Sequence, residues 1–248
     1  MSDLDLVAAI RAEVRARSDA RGRADGPEPH VAYLTVCPRE AWAKRAQRPQ
    51  HPFSDEALGT FERGHLTEAL VADAVERLLV PQGWTVERNV RIALRLEGGS
   101  VAGRRLDAEE RVKSGEVEGH VDIVATRGAA VVVVEAKSKE VVRRGEDPSA
   151  EWRFGVQAGA YALGLGAQRF AIIVGQDFKR WWLRWQDAEA WRADVTGLMA
   201  RLLTASDPSG PMPACEPPTS WWRNYCSSAE CRNGGPCAEV ALSAEDFA

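Results

Sequence analysis

Gly119-His120-Val121-Asp122-Ile123-Val124-Ala125-Thr126-Arg127-Gly128-Ala129-Ala130-Val131-Val132-Val133-Val134-Glu135-Ala136-Lys137 is the stretch that decides how this chain folds. Two apolar runs, near 118–125 and 130–137, flank a turn signal at Arg127-Gly128, the pattern of a β-hairpin. Successive side chains of a strand point to opposite faces. With the turn centred on Arg127-Gly128, position 126 pairs with 129, 124 with 131 and 122 with 133. One face then carries His120, Asp122, Val124, Val133, Glu135 and Lys137. The other carries Val121, Ile123, Ala125, Val132, Val134 and Ala136; it is wholly apolar and belongs against the core. A one-residue slip would bury the charges, so the alternation specifies the pairing.

In this register Asp122 and Glu135 are diagonal neighbours, roughly 7–8 Å apart at the backbone and closer at their carboxylates. Lys137 stands beside them. Two readings fit. The three groups form a structural ion-pair cluster, or the carboxylates are hard oxygen ligands for Mg²⁺ or Mn²⁺. A metal there would polarise a phosphate and acidify an attacking water, and Lys137 would hold that water or stabilise developing negative charge.

Outward from the hairpin, the chain has the length for one domain with an elaboration: 248 residues with a net charge of −4. The acidic balance argues against nucleic-acid binding over the whole surface and confines any such contact to a local basic groove. No apolar run approaches the length of a membrane span, and the charged N-terminus lacks a signal-peptide core. A cytoplasmic location and no membrane partner are expected. Nine tryptophans are many for this length, most of them between Trp181 and Trp222. A dense aromatic core is the expectation, with stacking on unpaired bases the alternative.

Periodicity places an amphipathic, Arg-rich helix over residues 3–17 and a Gly- and Pro-containing linker over 18–29. A long helix runs from about Ser54, a candidate N-cap, to Leu79, with Leu58, Phe61, Leu66, Leu70, Val75, Leu78 and Leu79 as its apolar positions. Pro81 and Gly83 end it. Residues 84–96 alternate as a strand with an irregularity near Arg88-Asn89, and 97–116 form a loop or ragged hairpin. A helix over 149–166, strands over 170–174 and 181–185, and a helix over 187–203 follow.

These motifs together resemble the PD-(D/E)xK nuclease superfamily, in its RecB-like branch. Asp122 followed after a gap by Glu135-Ala136-Lys137 is similar to its core, although Gly119-His120-Val121 stands where the pattern often has Pro. Gln157-Ala158-Gly159-Ala160-Tyr161 resembles the branch's Gln-x-x-x-Tyr, and its two polar residues share a helix face. Glu62-Arg63-Gly64-His65-Leu66-Thr67-Glu68 resembles the upstream helix motif imperfectly, because the glycine directly precedes His65. The resemblance implies catalytic Asp122, Glu135 and Lys137, a metal held by His65, Asp122 and Glu135 with Glu68 the rival to His65, and DNA positioned by Gln157 and Tyr161.

Cys37 in a Cys-Pro-Arg context, with Cys226, Cys231 and Cys237 near the other end, resembles the iron–sulfur members of that branch, found in CRISPR-associated and phage nucleases. This implies a 4Fe-4S cluster on those four cysteines. Thiolate chemistry also admits Zn²⁺. Cys215 has no assigned role. The expected fold is α/β, a mixed central sheet flanked by helices, with a cysteine-bound iron–sulfur lobe joining the two ends. Residues 1–29 form an N-terminal helix and linker, and residues 30–248 the nuclease domain with a lobe built from Cys37 and residues 215–240. The function implied is hydrolysis of DNA phosphodiester bonds, exonucleolytic on single strands or free ends. The alternative is a DNA-binding or end-processing subunit of a CRISPR-adaptation or recombination complex.

Overall fold

The computed structural model describes residues 28–35, 37–46, 55–207 and 209–214. The expected helix over 3–17, most of the linker, Ser54, Cys215, Cys226, Cys231 and Cys237 lie outside them. Six strands form one sheet in the order β2-β1-β3-β4-β5-β6. They are β1 (Thr85–Glu97), β2 (Ser100–Arg105), β3 (Glu116–Arg127), β4 (Ala130–Lys139), β5 (Arg169–Gln176) and β6 (Arg180–Asp187). All neighbours are antiparallel except β4 and β5. That parallel pair needs a crossover, supplied by helix α3 (Trp152–Gly164). The mixed sheet flanked by helices is the architecture the alternating patterns predict.

Helices cover both sides of the sheet. Helix α2 (Asp55–Leu79) packs across β4, β1 and β3 on one side. Its Val71 and Ala72 join Ile123, Val134, Ala136 and Ala171 in a small core. On the other side α3 and α4 (Arg192–Ala205) build the large core, with Tyr161, Val156 and Met199 against Ile92, Val124, Val133 and Ile172. The expected apolar stripe of α2 is only partly its buried one: Leu58 is buried and Val75 packs against the small core, whereas Phe61, Leu66, Leu70 and Leu78 are exposed. Burial follows Thr67, Val71 and Ala72, small side chains that let the helix approach the sheet.

Helix α1 (Pro38–Arg45) has no counterpart among the expected elements. Proline at its first position suits a helix start, and the Glu40 amide donates to the Cys37 carbonyl at 3.0 Å. Ala41, Trp42 and Ala43 are buried. Its apolar residues are too few and too small to register as a periodic pattern.

The central hairpin differs from expectation in three ways. Its turn lies at Gly128-Ala129, since Arg127 pairs with Ala130 and Ile123 with Val134. This displaces the register by two residues, so side chains keep their parity. One further step of the same register sets Asp122 opposite Glu135 rather than diagonal to it.

The strand alternation also breaks. Val121 belongs to the large core and Ile123 to the small one, although they are two residues apart. On β1 the same reversal separates Val86 from Val90. Between them Asn89 adopts a left-handed φ of 49°, a conformation that Asn tolerates better than most residues. The β1–β3 ladder holds one register on either side of this point, so both strands rotate together at Asn89 and Asp122. His120, expected beside Asp122, consequently faces away from it.

Finally, neither face of the hairpin is open. Val124, Val133 and Glu135, on the face expected to carry the charges, are fully buried.

Candidate active site

Where β3 and β4 part, the Asp122 carboxylate accepts the Ala136 amide hydrogen at 2.8 Å. The β3–β4 ladder ends at Ile123 and Val134, and the Asp122 side chain takes the place of the next backbone acceptor. Glu135 is 0% exposed, and its Oε2 accepts no hydrogen bond among the described residues. Its Oε1 is in direct ionic contact with the Lys137 ammonium. The Lys137 Nζ also lies 5.9 Å from the centre of the Phe154 ring, a cation–π distance.

Electrostatics follow from this crowding. Burial pushes the Asp122 carboxyl well above its ordinary range, and the neighbouring Glu135 adds to the rise. Glu135 is raised by burial against the opposing pull of Lys137. For Lys137, burial disfavours the charge, but Glu135, Asp122 and Glu68 together outweigh it and hold the ammonium protonated. Like charges in a low-dielectric site cannot both ionise cheaply. The two carboxylates and one ammonium therefore carry a surplus of negative charge that only a proton or a cation can relieve.

From α2, Glu68 is the helix residue whose charge reaches Asp122, Glu135 and Lys137. His65 lies one turn earlier, with its Nδ1 3.3 Å from Glu68 Oε2. The helix crosses close to the end of β4 there: a Cβ at Gly64 would stand 3.9 Å from Ser138 Oγ. From α3, Gln157 Nε2 donates to Tyr161 Oη at 3.2 Å. Burial and the nearby Glu135 charge push the Tyr161 hydroxyl well up, while the His120 backbone amide bonds its oxygen. A side chain at Gly119 would place its Cβ 2.5 Å from Tyr161 Cε1, so the tyrosine fits only against a glycine.

The structure thus brings Asp122, Glu135, Lys137, Gln157 and Tyr161 into one neighbourhood, with Glu68 entering from α2 and His65 behind it. The amide of His120 as a holder of Tyr161 was not legible, because a backbone contact across the sheet leaves no residue pattern. The His120 side chain sits elsewhere. Its Nε2 is 3.5 Å from Glu118 Oε1, and its ring centre is 5.4 Å from that of His30. Contact with His120 and then Arg91 holds the Glu118 carboxyl down at about 2, against burial.

The donor set fits a hard divalent cation. A buried carboxylate oxygen without a hydrogen-bond donor, as Glu135 Oε2 is among the described residues, is what an oxygen-ligated ion would satisfy. Mg²⁺ keeps several waters and takes as few as one or two carboxylates. Among the described residues no three His, Cys, Asp or Glu side chains converge into a full protein cage. Of the four cysteines expected to hold a cluster, Cys37 is described and buried at 1% exposure. No helix among the described residues is long and apolar enough to cross a membrane.

No protein-family model matches the chain, and no curated protein matches it in sequence. Among solved structures, the crystal structure of SSO0001 superposes with a TM-score of 0.60 at 12% identity, covering 95% of this chain and 98% of that one. The likeness shows a common fold. The alkaline exonuclease LHK-Exo from Laribacter hongkongensis is similar at a TM-score of 0.44 and 12% identity, over 77% of this chain and 95% of that one.

Proposed function

We propose that this chain is a divalent-metal-dependent nuclease that hydrolyses DNA phosphodiester bonds, exonucleolytically on single strands or free ends. The observation that carries the reading is the half-buried Asp122 and buried Glu135 side by side with Lys137, which contacts Glu135 Oε1, while Glu135 Oε2 lacks a hydrogen-bond donor among the described residues. Asp122 and Glu135 hold Mg²⁺ or Mn²⁺, and Glu68 or His65 of α2 completes the shell directly or through water. A bound ion of this kind supplies Lewis acidity toward a phosphoryl oxygen and a lowered pKa for the attacking water.

The chain's own groups do the rest. Lys137 stays protonated, so it acts as a fixed positive charge beside the reacting phosphate and not as a general base. Tyr161, held by Gln157 and the His120 amide, shapes the wall of the site that orients the strand. Cys37 with Cys226, Cys231 and Cys237 holds a 4Fe-4S cluster that ties the chain's ends to the nuclease core.

The test is cleavage of end-labelled single-stranded DNA by purified protein with Mn²⁺ or Mg²⁺. Wild type should degrade the strand and lose that ability in chelator, while Asp122→Ala and Lys137→Ala remain inert. Equal inertness of all three proteins with both metals would overturn the enzymatic reading.

A further inference from the structure

Strand β6 closes one edge of the sheet and exposes an aromatic face that no element among the described residues covers. Trp181 is 43% exposed, Leu183 59% and Trp185 47%. Their register partners on β5 are Gly175, Ile173 and Ala171. Ile173 and Ala171 pack in the small core beneath α2, so the three exposed side chains lie on the α2 side of the sheet. Trp181 rests flat on the strand: a Cβ at Gly175 would stand 2.7 Å from its ring. Large exposed apolar faces on an edge strand are a liability unless something uses them.

The charges around this face are positive. Between Arg169 and Asp187 the β5–β6 hairpin carries Arg169, Lys179, Arg180 and Arg184 against the carboxylates of Asp177 and Asp187, in a chain whose net charge is −4. The Arg169 guanidinium stands 5.5 Å from the centre of the Trp185 ring. Arg184 turns to the other side, 3.5 Å from Asp147. Lys179 and Arg180 sit at the hairpin tip beside the exposed Phe178.

We infer that this face binds a single nucleic-acid strand, with bases stacked on Trp181 and Trp185 and phosphates met by Arg169 and Lys179. Exposed rings accept any base, and neighbouring cations track the backbone. β6 lies two strand spacings from Glu135 on β4, roughly 10 Å. Glu68 borders the candidate site from the same side of the sheet. On β4, Val134 and Ala136 face α2, so Glu135 and Lys137 face α3, where Lys137 meets the Phe154 ring; a strand stacked on β6 reaches them around the end of β4, where Glu68 enters from α2. The inference rests on the nuclease reading for what happens at the far end of that path, and on β6 alone for binding.

Binding is measured in chelator, where no cleavage occurs, by fluorescence anisotropy of a labelled oligothymidylate. The proteins are wild type, the double variant Trp181→Ala/Trp185→Ala, its Phe counterpart, and Trp152→Ala as a control from α3. The alanine pair should weaken binding about tenfold or more, given the usual worth of base–aromatic stacking. The Phe pair should restore most of it, and Trp152→Ala should bind like wild type. Unchanged affinity in the alanine pair overturns the inference, as does equal loss in Trp152→Ala. So does a wild-type dimer that the alanine pair dissociates without any change in oligonucleotide affinity. Trp-dependent binding without metal-dependent cleavage leaves the platform and refutes the nuclease; cleavage at wild-type rate and affinity in the alanine pair does the reverse.

Discussion

Asp122 and Glu135 face each other where β3 and β4 separate, and the Asp122 carboxylate takes the Ala136 amide hydrogen at 2.8 Å. One carboxylate thus finishes a β-ladder while the other is buried with Lys137 at one oxygen and no donor at Oε2 among the described residues. Such an arrangement lowers stability in isolation and becomes useful when a cation arrives.

The first consequence is a stability gain on neutralisation. Folding raises the Asp122 and Glu135 pKa values, with burial the main cause. Their protonated forms are therefore favoured in the folded state. The associated stability is present below the ordinary carboxylate range and is lost as pH rises through the raised values. Asp122→Asn keeps an acceptor for the Ala136 amide and removes that loss. In chelator at pH 8 it should be more stable than wild type by about 1–3 kcal/mol, visible as a higher Tm, and the difference should shrink toward pH 5.

Lys137 has the opposite sign. Its folded pKa is raised by Glu135 and Asp122 against burial. Its stabilisation is complete below the ordinary lysine value and is lost only at more alkaline pH. Lys137→Met leaves buried carboxylates with no compensating charge and should cost about 3–5 kcal/mol at pH 7. Urea unfolding should show a smaller cost at pH 5, where the carboxylates can take up protons. The same cost at both pH values would mean that Lys137 contributes packing and not charge.

Glu118 anchors the other end of β3. His120 and Arg91 hold its pKa at about 2, and Arg91 Nη2 lies 2.8 Å from Glu118 Oε1. A depressed carboxylate gives stability present above its ordinary value and lost as pH falls toward about 2. Glu118→Gln should therefore be less stable than wild type by about 1–2 kcal/mol at pH 7 once solvent screening is allowed for, and the two proteins should converge in acid. Unfolding midpoints from pH 7 to pH 2 read this directly.

Cysteine ligation is checked by composition. Protein purified without oxygen should be brown and carry four irons and four sulfides per chain, the stoichiometry of the proposed cluster. Cys37→Ser should lose most of the iron. A colourless protein with stoichiometric zinc would replace the cluster by a zinc site on the same thiolates.

The strands and long helices were legible because their periodicities are strong, as in the valine run of β4 and the alternation of β1. Even the displaced turn left the faces intact, since a shift of two residues preserves strand parity. The reversal at Asn89 and Asp122 was only half visible. The sequence marks Arg88-Asn89 as irregular, but a left-handed residue shows its effect only through the partner strand that turns with it. The buried side of α2 was misread because leucine periodicity outweighed the small residues Thr67, Val71 and Ala72, whose size allows close packing. The tryptophans of β6 were expected inside. Their alternation with arginine is equally compatible with an edge strand, and only the sheet order distinguishes the two.

The most direct measurement is a calorimetric titration of Mn²⁺ into wild type, Asp122→Asn and Glu135→Gln at neutral pH, each first shown to be folded by its unfolding transition. The account predicts saturable binding in wild type with release of the proton that the carboxylate pair otherwise retains, and loss of that binding in both variants. Equal Mn²⁺ affinity in all three proteins would contradict it, because the buried pair would then be a structural ion cluster and the metal, if any, would sit elsewhere.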